Sequence, residues 1–272
     1  MKNKIYQSGT LEILPWESIF GGALVLIATG VMSFGLVMPN GGGVISIVIL
    51  ILILLVSALK RYAFAIHLTL FALLLFIPSR IGAFSNQWPL GILLPLLAYG
   101  LIVIVVPGLR KSIGWLKKGR MDAKAMKWVL ATSIISTIAL FGWVILIKPD
   151  IAHQVALIPD MPLWLYPIAG LVFAFFNATM EEAVFRGIVM DATDSALGYN
   201  FISVVVQAVP FAAFHYLAGF PKGLLGFFMV FVYGVMLGAV RRESKGMLAP
   251  IMAHITADVT IFSILMALYF QS

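Results

Sequence analysis

The sequence predicts an all-α polytopic membrane protein of about nine transmembrane helices (eight is the alternative), N-terminus in and C-terminus out. Three observations carry this. Of the 272 residues, 62% are hydrophobic and 11% charged, against about 25% charged in a soluble domain, and the mean hydropathy is +1.06. The apolar runs are long and unbroken, where a membrane β-barrel would show short alternating segments. Lys and Arg concentrate in alternate interhelical segments, the pattern of cytoplasmic loops. The expected location is therefore a membrane crossed many times, with a prokaryotic plasma membrane as the expected compartment.

A helix needs about 20 apolar residues to cross the hydrocarbon. The expected spans are 19–37, 44–59, 62–78, 90–106, 128–147, 163–190, 201–217, 224–240 and 247–270. The second and third are separated only by Lys60 and Arg61. With the N-terminus inside, the inner segments hold Lys2, Lys4, Lys60, Arg61, Arg110, Lys111, Lys117, Lys118, Arg120, Lys124, Lys127, Arg241, Arg242 and Lys245. The outer ones hold only Arg80, Lys148 and Lys222. No cleavable signal peptide is expected, because Gly9, Glu12, Pro15 and Glu17 precede the first apolar run and no small-residue cleavage site follows it.

Three parts are expected. Residues 1–108 supply transmembrane helices of accessory or structural role, with almost no polar chemistry. Residues 109–127 form a basic amphipathic linker edged by Trp115 and Trp128, suited to lie along anionic headgroups. Residues 128–272 form the core that holds every chemically interesting group. There is no internal repeat. The closing L-Y-F-Q-S at 268–272 resembles the remnant of a cleavable affinity tag and receives no role.

Composition also excludes classes of chemistry. There is no cysteine, so neither a disulfide framework nor a thiolate nucleophile is available. The net charge of +7 resides in interhelical loops and does not point to nucleic acid. Neither H-E-x-x-H nor G-x-S-x-G occurs.

Residues 177–191, reading N-A-T-M-E-E-A-V-F-R-G-I-V-M-D, break the apolar pattern. They place Glu181, Glu182 and Arg186 inside an expected membrane helix, after a charge-free run over 163–180. One isolated charge at the middle of a bilayer helix costs about 2.5–3.5 kcal/mol on insertion scales, so three mark a site. Glu182 and Arg186 are i,i+4 neighbours and natural ion-pair partners, which turns Glu181 about 100° away, toward another partner. Two further helices add Phe211-x-x-x-His215 and His254-x-x-x-Asp258. For His67, in the third span, hydrogen-bonded packing is the expectation, and for His153 a solvated loop. Polar membrane residues normally face one interior cavity, so Glu181, His215, His254 and Asp258 are expected to converge.

Such a set can hydrolyse an acyl bond without a covalent intermediate. A carboxylate and an imidazole sharing one water can take its proton and direct it at a carbonyl. A second imidazole can donate to the oxyanion that forms. Two other readings stay open: zinc on Glu181, His215 and His254, and a non-catalytic proton-coupled transporter or binding protein. The expected cofactor is none, and no metal is assigned.

The strings E-E-A-V-F-R at 181–186, F-A-A-F-H at 211–215 and H-I-T-A-D at 254–258 resemble the CAAX protease and bacteriocin-processing family of intramembrane glutamic endopeptidases. Its best-described branch is the type II CAAX prenyl endopeptidase. The family pattern is E-E-x-x-x-R, F-x-x-x-H, then H-x-x-x-N or H-x-x-x-D, and the resemblance covers 163–262. It implies Glu181 as the base that activates water, assisted by His215. It implies His254 and Asp258 on the oxyanion side, and Glu182 with Arg186 as a brace. Where the prenyl branch has Asn, this chain has Asp258; an ionised Asp cannot donate, so Asp258 is expected either to be protonated or to orient His254. The implied partners are a membrane-anchored or lipidated protein or peptide entering through the bilayer, and membrane lipids.

Helix arithmetic poses one difficulty. At about 1.5 Å per residue, Glu181 lies about 13 Å from the inner end of its helix if that end is Met190, and His215 about 20 Å from Phe201. The expectation is that the polar stretch 191–203 sits recessed in a water-filled cavity.

Overall fold

In lipid, an apolar segment can satisfy its backbone polar groups only within itself or in a closed barrel, and long runs of Leu, Ile and Val take the helical route. A computed structural model describes residues 16–38, 43–80 and 88–271, and within them all regular structure is helical. The elements are α1 (Trp16–Val37), α2 (Gly43–Lys60), α3 (Ala63–Arg80), α4 (Leu90–Val105), α5 (Pro107–Ser112), α6 (Ala123–Ile147) and α7 (Ala152–Ala156). They continue with α8 (Leu165–Glu182), a π-helical segment (Ala183–Val189), α9 (Met190–Leu197), α10 (Phe201–Ala218), α11 (Gly223–Ser244) and α12 (Leu248–Tyr269). Lys2, Lys4 and the N-terminal residues weighed against a signal peptide lie outside the described residues, save Glu17, whose backbone alone is described.

Each stretch expected to span coincides with one of these helices. Six among the described residues are long and apolar enough to cross a membrane, including a continuous helix over Leu165–Leu197. Three shorter apolar helices, Ala63–Ile77, Leu90–Val105 and Phe201–Leu217, fall at the remaining expected spans. The surface is inverted relative to a soluble protein. On α6, Thr132, Ser133 and Ser136 are buried while Ile134, Ile138 and Ile145 are 58%, 66% and 66% exposed. An outward face of that kind needs lipid against it. The protein is an integral, multi-pass membrane protein.

The turns are local. Arg61 takes φ 60, which reverses the chain between α2 and α3 within two residues. Lys148 and Lys245 adopt the left-handed conformation that ends α6 and α11. Asp122 caps α6, its side chain accepting the Ala125 N–H at 2.9 Å. That bond, with Arg120 and Lys124 nearby, holds the Asp122 carboxyl below the usual Asp range. A lowered native pKa stabilises above the unfolded value and is lost as pH falls through the native one, so this cap weakens only on acidification.

One cluster of buried side chains runs from α1 to α4 into the segment that carries the acidic motif. Val25, Met32, Leu68 and Phe71 share it with Val184, Phe185, Ile188 and Phe211. The N-terminal helices thus pack directly behind the polar centre.

The linker after α5 is extended rather than helical over residues 113–122. It is threaded along the α11–α12 turn, with Arg120 N–H donating to Ser244 O at 2.7 Å and Met247 N–H to Lys117 O at 2.8 Å. The approach is so close that a Cβ on Gly119 (φ +81) would sit 2.7 Å from Gly246 Cα. Gly119→Ala is therefore expected to lower stability by about 1–3 kcal/mol through overpacking and backbone strain. A thermal melt of the detergent-solubilised protein checks this; an unchanged midpoint would contradict the close packing.

Candidate active site

Glu181 and Glu182 end α8, and Arg186 lies in the π-helical segment that follows. Such wide turns are rare and recur at functional sites. All three side chains are buried, Arg186 and Glu182 completely.

Glu182 is the hub of a charged network. Its Oε1 accepts from Arg186 Nη1 at 2.9 Å and lies 2.8 Å from His254 Nδ1. Arg186 Nη2 donates to the carbonyl of Gly234 at 3.3 Å, which also accepts from Gln207 Nε2 at 2.9 Å. The guanidinium carbon stands 4.1 Å from the centroid of the Phe211 ring, a cation–π contact. Side chains of α8, α10 and α12, the π segment and the backbone of α11 thus meet around one buried carboxylate. The expected intrahelical brace is present and reaches further, to the imidazole of His254.

Glu181 points the other way, as the helical spacing requires. Its Oε2 lies 3.8 Å from His215 Nε2 and 3.6 Å from His254 Nε2. These separations are too long for direct hydrogen bonds, and this buried oxygen has no hydrogen-bond partner among the described residues. His215 Nδ1 is 3.0 Å from the Phe211 carbonyl. A carbonyl can only accept, so Nδ1 carries the proton and the neutral ring turns an Nε2 lone pair toward Glu181. His254 Nε2 also lies 3.8 Å from Asp258 Oδ1. The structure therefore brings Glu181, Glu182, Arg186, His215, His254 and Asp258 together.

Three contributors escape the sequence reading. Asn177 Nδ2 donates to Asp258 Oδ2 at 3.2 Å, and its Oδ1 accepts from Trp88 Nε1 at 3.0 Å. Its signal was available: Asn177 stands one turn before Glu181, where i,i+4 residues share a face. Tyr233 donates to Ala253 O at 3.3 Å and lies against the rings of Phe211 and His254. Gln207 joins the Gly234 carbonyl as described. Neither Tyr233 nor Gln207 has a sequence neighbour that would single it out.

The depth difficulty dissolves because the helix runs on. α9 carries it to Leu197, which places Glu181 about 24 Å from that end, close to the roughly 21 Å of His215 from Phe201. The water-filled recess expected over 191–203 is replaced by protein partners. Asp191 is ion-paired with Arg241 and accepts the Gly114 N–H. Asp194 takes Arg242 Nη1 at 3.0 Å and the Ser203 hydroxyl, Thr193 donates to Met190 O, and Asn200 caps α10. Two arginines at the end of α11 supply the charge compensation that water was expected to give. His67 is packed as expected, between the Tyr99 hydroxyl at 2.7 Å and Ser112 Oγ at 2.9 Å. His153 is exposed on α7.

Comparison with known proteins bears on the same helices. A multi-pass helical fold with a buried Glu–His–Asp cluster on α8, α10 and α12 defines a candidate intramembrane hydrolase. Residues 162–260 match the family model described as type II CAAX prenyl endopeptidase Rce1-like, and this segment belongs with the CAAX protease family. The match begins just before α8 and ends in α12, so it includes all six predicted site residues and supports a membrane protease of the CAAX type. No curated protein and no solved structure matches the chain.

Proposed function

We propose that the protein is an intramembrane endopeptidase that hydrolyses a peptide bond of a membrane-anchored or lipidated protein or peptide. The observation that carries this is the position of Glu181 Oε2, buried, without a hydrogen-bond partner, and facing two imidazole nitrogens at 3.6 and 3.8 Å. Polar groups at such separations suit a single bridging water. Glu181, assisted by the lone pair on His215 Nε2, takes the proton from that water as its oxygen attacks the carbonyl carbon. With the Nδ1 proton of His254 committed to Glu182, an imidazolium His254 would hold its second proton on Nε2, between Glu181 and Asp258. That proton serves the oxyanion. The proton on Glu181 then passes to the leaving amine. Asp258 orients His254, and Glu182 with Arg186 fixes the ring from its other nitrogen.

The topology proposed with this reading has nine spans, N-terminus in and C-terminus out, in a prokaryotic plasma membrane. The four N-terminal helices act as a structural backing to the core at 128–272. The test is a comparison of the membrane proteome in cells carrying the wild type and Glu181→Ala. A membrane-anchored substrate that accumulates uncut only with the variant is the expected result; identical cleavage patterns would sink the proposal.

Asn177 is a positioning residue in this scheme, since it holds Asp258 and is itself held by Trp88. Losing one hydrogen bond to a carboxylate is worth about 1.5–3 kcal/mol, so Asn177→Ala is expected to lower kcat by about tenfold or somewhat more with little change in KM. Asn177→Gln should restore little, because the longer amide displaces the bond. A loss confined to KM would remove Asn177 from the mechanism.

Among the described residues no three His, Asp or Glu side chains are grouped as metal ligands, and no step above passes through a metal. Cleavage is expected to survive exhaustive chelation of the purified enzyme. Loss of activity that returns on adding zinc would favour the metal-dependent alternative.

A further inference from the structure

Beneath the linker lies an open, largely apolar cavity of about 360 Å³. Trp115, Lys117 and Lys118 bound it on one side, Thr179 on a second, and Met247 and Ile251 on a third. Thr179 precedes Glu181 by two residues, about 200° around the helix, so cavity and glutamate occupy opposite sides of α8. It is separate from the candidate active site.

The linker side of the cavity is built, not draped. The Gly114 N–H donates to Asp191 Oδ2 at 3.2 Å. Met247 and Leu248 donate to the carbonyls of Lys117 and Lys118 at 2.8 and 3.2 Å. The Trp115 ring lies flat enough on α8's continuation that a Cβ at Gly187 would be 2.8 Å from it. These contacts use the backbone and leave the Lys117 and Lys118 side chains exposed, with no ion-pair partner among the described residues. Leu116, between them and Trp115, is 68% exposed.

An apolar hollow with two unneutralised ammonium groups and an indole at its mouth fits an amphiphile of one kind. An acyl chain would fill the hollow, and a phosphate would sit on the lysines, with Trp115 at the headgroup level. We propose that this cavity is a specific site for an anionic glycerophospholipid. A soluble phosphate would engage the lysines and leave the apolar walls wet, and a peptide on its way to Glu181 would pass the other side of α8. A lipid held there ties the linker to α8 and to the first turn of α12. The proposal does not depend on Glu181 being catalytic, because binding is what is read.

Trp115 reports on occupancy. The full chain is reconstituted in phosphatidylcholine vesicles containing a minor fraction of phosphatidylglycerol, with brominated acyl chains on one lipid or the other to quench indole on contact. The Trp115 signal is the difference between the wild type and Trp115→Phe. Brominated phosphatidylglycerol should quench it several-fold more per molecule than brominated phosphatidylcholine. Each of Lys117→Ala and Lys118→Ala should weaken that preference about fivefold, and Ile251→Phe, which fills the hollow, should abolish quenching by both. Equal quenching by the two lipids overturns the proposal, as does a preference that survives loss of both lysines. So does a preference that inorganic phosphate competes away, since that marks a soluble anion. If Trp115→Phe does not fold, phosphatidylglycerol retained by the detergent-extracted protein is counted by mass spectrometry in the wild type and the double lysine variant. Retention lost in the variant supports the site, and equal retention overturns it.

Discussion

Glu181→Gln is expected to lower kcat for peptide hydrolysis by about a hundred- to ten-thousandfold, the range a positioned general base contributes. The replacement is isosteric, so the contacts around it have no steric cause to move. What is lost is the group that takes the proton from water. An amide at that position cannot accept it, and His215 alone would have to serve. The protein should stay folded, because Glu181 Oε2 has no hydrogen-bond partner among the described residues to lose. Single-turnover cleavage of a membrane-anchored peptide in vesicles measures the effect. Activity within a few-fold of wild type would remove Glu181 from the chemistry, whatever its neighbours do.

Arg186→Met is expected to act on folding instead. Arg186 and Glu182 are both completely buried and bonded at 2.9 Å. Removing one member of a buried pair costs about 3–5 kcal/mol, because the other is left charged and uncompensated. The single variant should therefore melt well below the wild type or fail to accumulate. The double variant Arg186→Met with Glu182→Gln removes the stranded charge and should recover much of that stability. It should not recover activity, since Glu182 is also the partner of His254 Nδ1 at 2.8 Å. A double-mutant cycle separates the two roles. If the double variant is no more stable than the single, the pair is not the organising contact.

The fold class was legible because lipid imposes one rule on every apolar segment, and nine such segments stood out by length alone. The site was legible for a related reason: charge is expensive in lipid, so Glu181, Glu182, Arg186, His215, His254 and Asp258 announced themselves. What escaped was what geometry alone decides. Asn177 is neutral and costs little, so nothing in composition raised it above the apolar residues around it. The link from Glu182 to His254 joins residues far apart in sequence, and spacing along one helix cannot reveal it. The end of the acidic helix was misplaced because Asp191 and Asp194 look like the beginning of a loop. They are helical because Arg241 and Arg242 neutralise them from another helix.

The π-helical turn between Ala183 and Val189 has a consequence for how the chain tolerates change in length. A π turn holds one residue more than an α turn would. Deleting a single residue there, Val184 for instance, would allow the backbone to close into regular α-helix without breaking. It would also rotate everything after it by about 100° relative to α8, turning Asp191 and Asp194 away from their arginines while Glu181 kept its place. This short segment should therefore be among the least tolerant of deletions in the chain, and a scan of single-residue deletions through α8 and α9 would find its sharpest minimum there.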